Sequence, residues 1–416
     1  MDRRSFLTGA VALSAYAYTA SALTMDRTVR ATPTSLPRGF TSAWARSVAD
    51  FNSDLKTEGV VGASLYFMHD GNVLGADHYG FADLATQRKV DAETIYHWAS
   101  NTKTFTAIAF MQLRDKGLVS LDDPIVKYVP AVRQAHDPFG SIDTITIRQL
   151  LSHTGGFRGA TFPWGGDKPW MPLEPKEWST IEEMMPYTEI EFAPGSKFSY
   201  SNLGLSLVGR VVEIVSGQHI DSYIDKNLLK PLDMVDSYFD LTPYFLLKHR
   251  SNNYYLDNGQ IHANGLEVDT GATLANGGLN APVPDFVKYT NFLLGLNDNG
   301  NYDTVLSRKT LREMWEPVLP VGEKDKDNDK VWIGLAFFIV DHPLPDGTAI
   351  RFYGHGGDQV AFHTAFQFNV ERRCAFLAAG NTISHGKENV WATHVREAMY
   401  ERIVPLFARQ PVAGRQ

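Results

Sequence analysis

Hydrophobic positions follow two different periods in different parts of the chain. From Ser42 to Asp54, Trp44, Val48 and Phe51 recur four and three residues apart, which predicts one buried face of a helix. Val61 to Met68 is a β-branched and aromatic run, and a second run follows His69-Asp70-Gly71-Asn72 and continues to Tyr79. Asp-Gly between two such runs predicts a β-hairpin. Helical spacing then dominates the centre, broken at Gly117, Gly155-Gly156, Pro194-Gly195 and Gly217. Short apolar runs return near the end, where Ile350 to Tyr353, His363 to Val370 and Arg373 to Ala379 predict antiparallel strands. A closing helix, Glu388 to Val404, carries Trp391, Val395 and Met399 on one side.

Strands at both ends and helices between them predict an α+β fold. Its antiparallel β-sheet joins N-terminal and C-terminal strands and is flanked by helices. A mostly helical subdomain, about residues 110–275, is inserted, and the crevice between the two parts is the expected ligand site. Residues 38–405 form this domain in the expected layout, with a polar tail at 406–416 and a surface loop from Gly322 to Lys330.

Composition narrows the function. With 416 residues, 44% hydrophobic and 21% charged, the chain can build a large core, which excludes global disorder. The 39 basic and 47 acidic residues give a net charge of −8 with no basic stripe, so nucleic acid is not an expected partner. The single cysteine, Cys374, lies in an apolar run and reads as a small buried hydrophobe. Cysteine and histidine spacings of zinc sites are missing, and so are HxH and HExxH groups. Asp325, Asp327 and Asp329 imitate the start of a calcium loop, but Lys330 stands where that loop needs Gly and Ala336 where it needs Glu. Neither a metal nor a cofactor is therefore expected. No run of about 18 apolar residues exists to span a bilayer. Arg3-Arg4, the mild apolar run Ala10 to Tyr18 and Ala20-Ser21-Ala22 predict a twin-arginine-type signal peptide over residues 1–22, and hence a periplasmic protein.

The candidate chemistry starts at Ala99-Ser100-Asn101-Thr102-Lys103. Phe105, Ile108, Ala109 and Leu113 continue at helical spacing, so Ser100 sits at a helix start and Lys103 one turn on, on the same face. A buried lysine becomes a usable base, and the positive helix end favours an alkoxide at Ser100. Tyr200-Ser201-Asn202 precedes an amphipathic helix (Leu205, Val208, Val212, Val215), and His355-Gly356-Gly357-Asp358 sits at an expected strand edge. Glycines there admit a substrate backbone. His153, in Ser152-His153-Thr154-Gly155, reads as structural, its ring satisfying loop backbone.

Together, Ser100-Asn101-Thr102-Lys103, Tyr200-Ser201-Asn202 and His355-Gly356-Gly357 resemble the three signatures of the penicillin-recognising serine hydrolases. That group contains class C β-lactamases, D,D-peptidases, D-aminopeptidases and related esterases. The blocks Leu118 to Pro124, Ile147 to Gly156 and Ala275 to Leu279 are similar too, and the resemblance spans about residues 45 to 405. It implies a β-lactamase/transpeptidase-like fold. It also implies that Ser100 is the acylated nucleophile and that Lys103 and Tyr200 share proton transfer. Asn202 would hold Lys103 and a substrate amide carbonyl, and His355, as a neutral imidazole, would hydrogen-bond Tyr200. The backbone N–H groups of Ser100 and Asp358 would form the oxyanion hole.

One departure matters. β-Lactamases carry Lys and Thr in the first two places of the third signature, where this chain has His355 and Gly356. The hydroxyl that helps bind a carboxylate is thus missing, and His-x-Gly resembles the D-aminopeptidase and esterase branches. The expected substrates are amides of short, D-residue-containing or linearised peptides, with esters as the alternative. β-Lactamase or D,D-carboxypeptidase action and a non-catalytic scaffold role rank lower. An aromatic insertion, Phe157 to Tyr187, is a candidate roof for the crevice.

Overall fold

A computed structural model describes residues 36–157, 175–264, 269–298, 300–322, 329–384 and 389–409. The expected signal segment, residues 410–416 of the polar tail, most of the Gly322–Lys330 loop and 158–174 of the aromatic insertion lie outside the described residues. The strands, in chain order, are β1 (Gly62–His69), β2 (Asn72–Asp83), β3 (Arg88–Lys89), β4 (Ile95–His97) and β5 (Tyr238–Phe239). They continue with β6 (Tyr254–Asp257), β7 (Gln260–Ala263), β8 (Leu279–Pro282), β9 (Leu319–Pro320) and β10 (Lys330–Ile333). The last are β11 (Phe338–Pro343), β12 (Ala349–Gln359), β13 (Phe362–Asn369), β14 (Cys374–Gly380) and β15 (Thr382–Ser384).

The main sheet runs β3-β2-β1-β14-β13-β12-β11-β10-β9. The predicted union of the two chain ends is its central seam, where β1 pairs antiparallel with β14 from Ala63↔Gly380 to His69↔Cys374. The predicted hairpin joins β1 and β2, with Asp70 (φ 48°) and Gly71 (φ 79°) both left-handed, as a type I′ turn requires. Side chains alternate across β1: Ala63, Leu65 and Phe67 pack with Phe51, Leu55, Trp391 and Tyr400 of the terminal helices. Tyr66 and Met68 face the central helices, among Phe105, Phe110 and Phe286. A strand buried on both faces explains why this stretch reads as a continuous apolar run. Burying each such large side chain contributes about 1.5–3 kcal/mol. Cys374 is buried, as expected.

Three features differ from the sequence reading. The strand expected to end at Tyr353 continues through the glycines to Gln359. Gly354 there lies so near the Phe366 carbonyl of β13 that any side chain would collide with it, so close backbone contact, rather than an apolar run, makes this half of the strand. The helical centre also holds a small sheet, β4-β8-β5, whose two- to four-residue strands are too short to show a period. The closing helix is regular over Val390–Glu397 and then widens to a π-type turn over Ala398–Ile403. Among the described residues, no helix is long and apolar enough to cross a membrane.

Candidate active site

Ser100 lies in a tight 3₁₀ turn, Ala99–Asn101, between β4 and the helix Thr102–Asp115. Ala99 is left-handed (φ 46°), an unfavourable conformation for a residue with a Cβ, so its surroundings must hold it there. Trp98 stacks on Phe286 with centroids 3.6 Å apart and donates from its indole to the Ala281 carbonyl at 2.9 Å. The Asn101 amide donates to the Trp98 carbonyl (3.1 Å) and to Thr364 Oγ1 on β13 (2.9 Å). Thr102 Oγ1 donates to the Ala99 carbonyl at 2.6 Å. Gly357 completes the support: a Cβ there would strike the Trp98 carbonyl and Thr364 Oγ1. Only glycine lets β12 lie against the Ser100 turn.

Lys103 is fully buried. Its Nζ donates to Ser100 Oγ at 2.9 Å and to the Asn276 carbonyl at 2.7 Å. The short helix Leu274–Gly277 that offers this carbonyl is itself tied down. Thr106 Oγ1 donates to the Ala275 carbonyl (2.6 Å), and the Asn276 amide donates to Ser206 Oγ (3.0 Å). Asn276 stood in a block noticed in the sequence, but no local signal marks its carbonyl as the lysine's anchor. Asn202, expected to hold Lys103, opens the helix Asn202–Ser216; its Oδ1 is buried and has no hydrogen-bond partner. That oxygen is unspent, and the lysine is held by the Asn276 carbonyl.

Tyr200 lies beside this serine–lysine pair. Lys103 Nζ lies 5.0 Å from the Tyr200 ring centroid. Burial pushes the phenol pKa up, and the hydrogen bond with Ser100 offsets only part of this, so the resting tyrosine is protonated. His355 is buried on β12, 5.1 Å from the Phe338 ring and 6.0 Å from that of Tyr200. Its Nδ1 donates to the Gly356 carbonyl at 2.5 Å, while Nε2 is buried with no partner. The implied bond from His355 to Tyr200 is therefore not formed. The extended backbone brings the ring onto its own neighbour's carbonyl instead. Burial, then the charge of Lys103, pulls the imidazole down to about 3, so it is neutral near pH 7.

β11 pairs with β12 only as far as Gly354, so among the described residues the 355–359 stretch has no strand partner on that edge. Gly356 and Asp358 are exposed there. A Cβ on Gly356 would meet only the Thr364 carbonyl, at 3.6 Å. The far end of the strand is pinned by His97, which sequence reasoning missed because nothing local marks it. Its Nδ1 lies 3.1 Å from Asn280 Oδ1 and its Nε2 3.2 Å from Gln359 Oε1. His153 behaves as the sequence suggested, its Nδ1 accepting the Ser201 N–H at 3.0 Å.

Three buried histidines give the fold a directional pH response. Burial lowers His97 to about 4, His355 to about 3 and His153 well below its ordinary value. The unfolded chain protonates these rings near pH 6.5, whereas the fold keeps them neutral. Their contribution to stability is therefore complete above pH 6.5. It is lost as the pH falls through the window down to about 3, on the order of 1 kcal/mol per pH unit for each ring. Calorimetry between pH 7 and pH 4 is expected to show a falling Tm. An unchanged Tm would mean that the rings are not held neutral.

The family model described as Beta-lactamase matches residues 41–399. The chain belongs to the beta-lactamase family. Its members are serine hydrolases, and the fold is theirs. Over 203 residues the chain is 31% identical to Protein flp of Staphylococcus aureus (strain NCTC 8325 / PS 47), covering 49% of this chain and 39% of that protein. It thus spans well under two thirds of that relative's length. The octameric penicillin-binding protein homologue from Pyrococcus abyssi superposes with a TM-score of 0.69 at 25% identity, covering 85% of this chain and 76% of the other. A D-stereospecific amidohydrolase from Streptomyces sp. gives a TM-score of 0.65 at 23% identity, covering 85% and 98%.

Proposed function

We propose that this family member is a serine hydrolase that forms an acyl-enzyme at Ser100 and cleaves amide bonds of short, D-residue-containing or linearised peptides. The observation that carries the reading is the hydrogen bond from the Lys103 amine to Ser100 Oγ, at 2.9 Å, with the Tyr200 ring centroid 5.0 Å from the same amine. In the proposed reaction Lys103 acts in its uncharged amine form: Oγ attacks the substrate carbonyl carbon and its proton passes to that amine. The backbone N–H groups of Ser100 and Asp358 stabilise the oxyanion, and the open edge of β12 receives the substrate backbone. As the C–N bond breaks, Tyr200 gives its proton to the departing amine and is reprotonated from Lys103. Water then attacks the acyl carbonyl carbon, losing its proton to the same pair, which returns it to Ser100 Oγ as the ester C–O bond breaks and the acid leaves. A protonated resting Tyr200 suits it to this delivery. The structural likeness to an enzyme described as a D-stereospecific amidohydrolase supports the amide reading. The twin-arginine-like start of the sequence supports action in a periplasm, where such peptides occur.

A carboxylesterase is the second reading, favoured by the same observation that disfavours β-lactams: Gly356 carries no hydroxyl, and His355 is neutral. A missing hydrogen bond to a carboxylate costs about 1.5–3 kcal/mol, ten-fold or more in rate. The test compares kcat/KM on nitrocefin, a D-aminoacyl anilide and a p-nitrophenyl ester, with intact mass used to detect the acyl adduct. The anilide and ester are expected to lead. Gly356→Thr, which the open space at this position accommodates, should raise nitrocefin turnover relative to the ester by about ten-fold. Wild-type nitrocefin turnover matching the ester, or no acyl adduct with any substrate, would count against the proposal.

A further inference from the structure

The segment that carries Tyr200 has little regular structure of its own, and its course follows a second turn, Ser152 to Phe157. Four contacts make the template. The Glu191 N–H donates to the Gly156 carbonyl (2.8 Å), the Gly195 N–H to the Thr154 carbonyl (2.7 Å) and the Ser199 N–H to the His153 carbonyl (2.9 Å). The fourth is the bond from the Ser201 N–H to His153 Nδ1, 3.0 Å. His153 thus grips both neighbours of Tyr200, one through its backbone and one through its ring. The ring itself lies against the Tyr200 ring, centroids 4.4 Å apart and planes inclined by 30°.

Two further observations say that this grip is specific. His153 is left-handed, φ 56°, a conformation that a residue with a Cβ adopts only when its surroundings impose it. It is also 1% exposed, although its Nε2 has no hydrogen-bond partner. A ring chosen only to fill space would not leave a polar atom unsatisfied. Since an N–H donates to Nδ1, that nitrogen must be unprotonated. Burial and the nearby charge of Lys103 keep it so.

We infer that His153 is a positioning residue for the reaction: as a neutral acceptor it sets the place of the Tyr200 hydroxyl relative to Ser100 and Lys103. This inference rests on the part given to Tyr200 in the proposed function. Misplacing a reacting group by about 1 Å costs on the order of 100-fold in rate. Asparagine is the informative substitute. Its side-chain oxygen can stand where Nδ1 stands, it tolerates the left-handed backbone, and it cannot take up a proton.

The experiment measures kcat and KM on a p-nitrophenyl ester for wild type, His153→Ala, His153→Asn, Tyr200→Phe and the His153→Ala/Tyr200→Phe pair, with Tm for each. His153→Ala should lower kcat about 100-fold and leave KM within about three-fold. His153→Asn should recover most of that loss. In the Tyr200→Phe background, His153→Ala should cost no more than about three-fold further, because a residue acting through Tyr200 has nothing left to position. Equal losses for Ala and Asn, or a full 100-fold loss in the Tyr200→Phe background, would overturn the positioning role and leave the reaction standing. Wild-type activity in Tyr200→Phe would overturn both. Tm values reveal any variant whose loss is merely unfolding.

Discussion

Ser100→Ala is expected to abolish turnover of every ester and amide substrate, by about 10⁴-fold or more, the scale seen when a covalent nucleophile is removed. The hydroxyl accepts from Lys103 Nζ at 2.9 Å, and the Tyr200 ring centroid lies 5.0 Å from that amine. Asn101 and Thr102 support the surrounding turn without using the Ser100 side chain. The variant should therefore fold, losing about 1–2 kcal/mol for the hydrogen bonds that end on Oγ. Initial rates on the ester and anilide, with a thermal melt, check both halves. Near-wild-type rates in a folded Ala variant would exclude the acyl-enzyme route.

Lys103 and Tyr200 are expected to act as one unit. Lys103→Met, which nearly preserves volume at a fully buried site, and Tyr200→Phe should each lower kcat by about 10²–10⁴-fold. The double variant should be little worse than the poorer single one, because groups that move one proton together cannot each lose it. Losses that multiply in the double variant would show two independent roles. Lys103→Ala is a weaker probe, since deleting so large a buried side chain costs about 2–5 kcal/mol of stability by itself.

Much of the fold was legible where the signal is local. The Asp70-Gly71 turn, the run that became β1 and the helix face through Phe51 each carry their own period or turn chemistry. The strands β4, β5 and β8 went unseen because two to four residues cannot display alternation. β12 was cut short because its second half is held by close backbone contact at glycines rather than by apolar side chains.

The same division runs through the site. The sequence by itself named the candidate groups, and it placed Ser100 and Lys103 on one helical turn, because three-residue spacing is a local geometric fact. It also determined that a tyrosine and a histidine would follow, and that Gly356 would supply no hydroxyl. Only the tertiary structure decided how those groups are used. Lys103 is anchored by the carbonyl of Asn276, 173 residues away, while Asn202 Oδ1 stays unspent. The His355 ring turns to the Gly356 carbonyl instead of Tyr200, and His153 grips the backbone on both sides of the tyrosine. The physical reason is range. Periodicity and turn propensity act over a few residues, whereas the hydrogen bonds of Lys103 and His153 join segments that meet only when the core closes, and a backbone carbonyl accepts a hydrogen bond whatever side chain its residue bears.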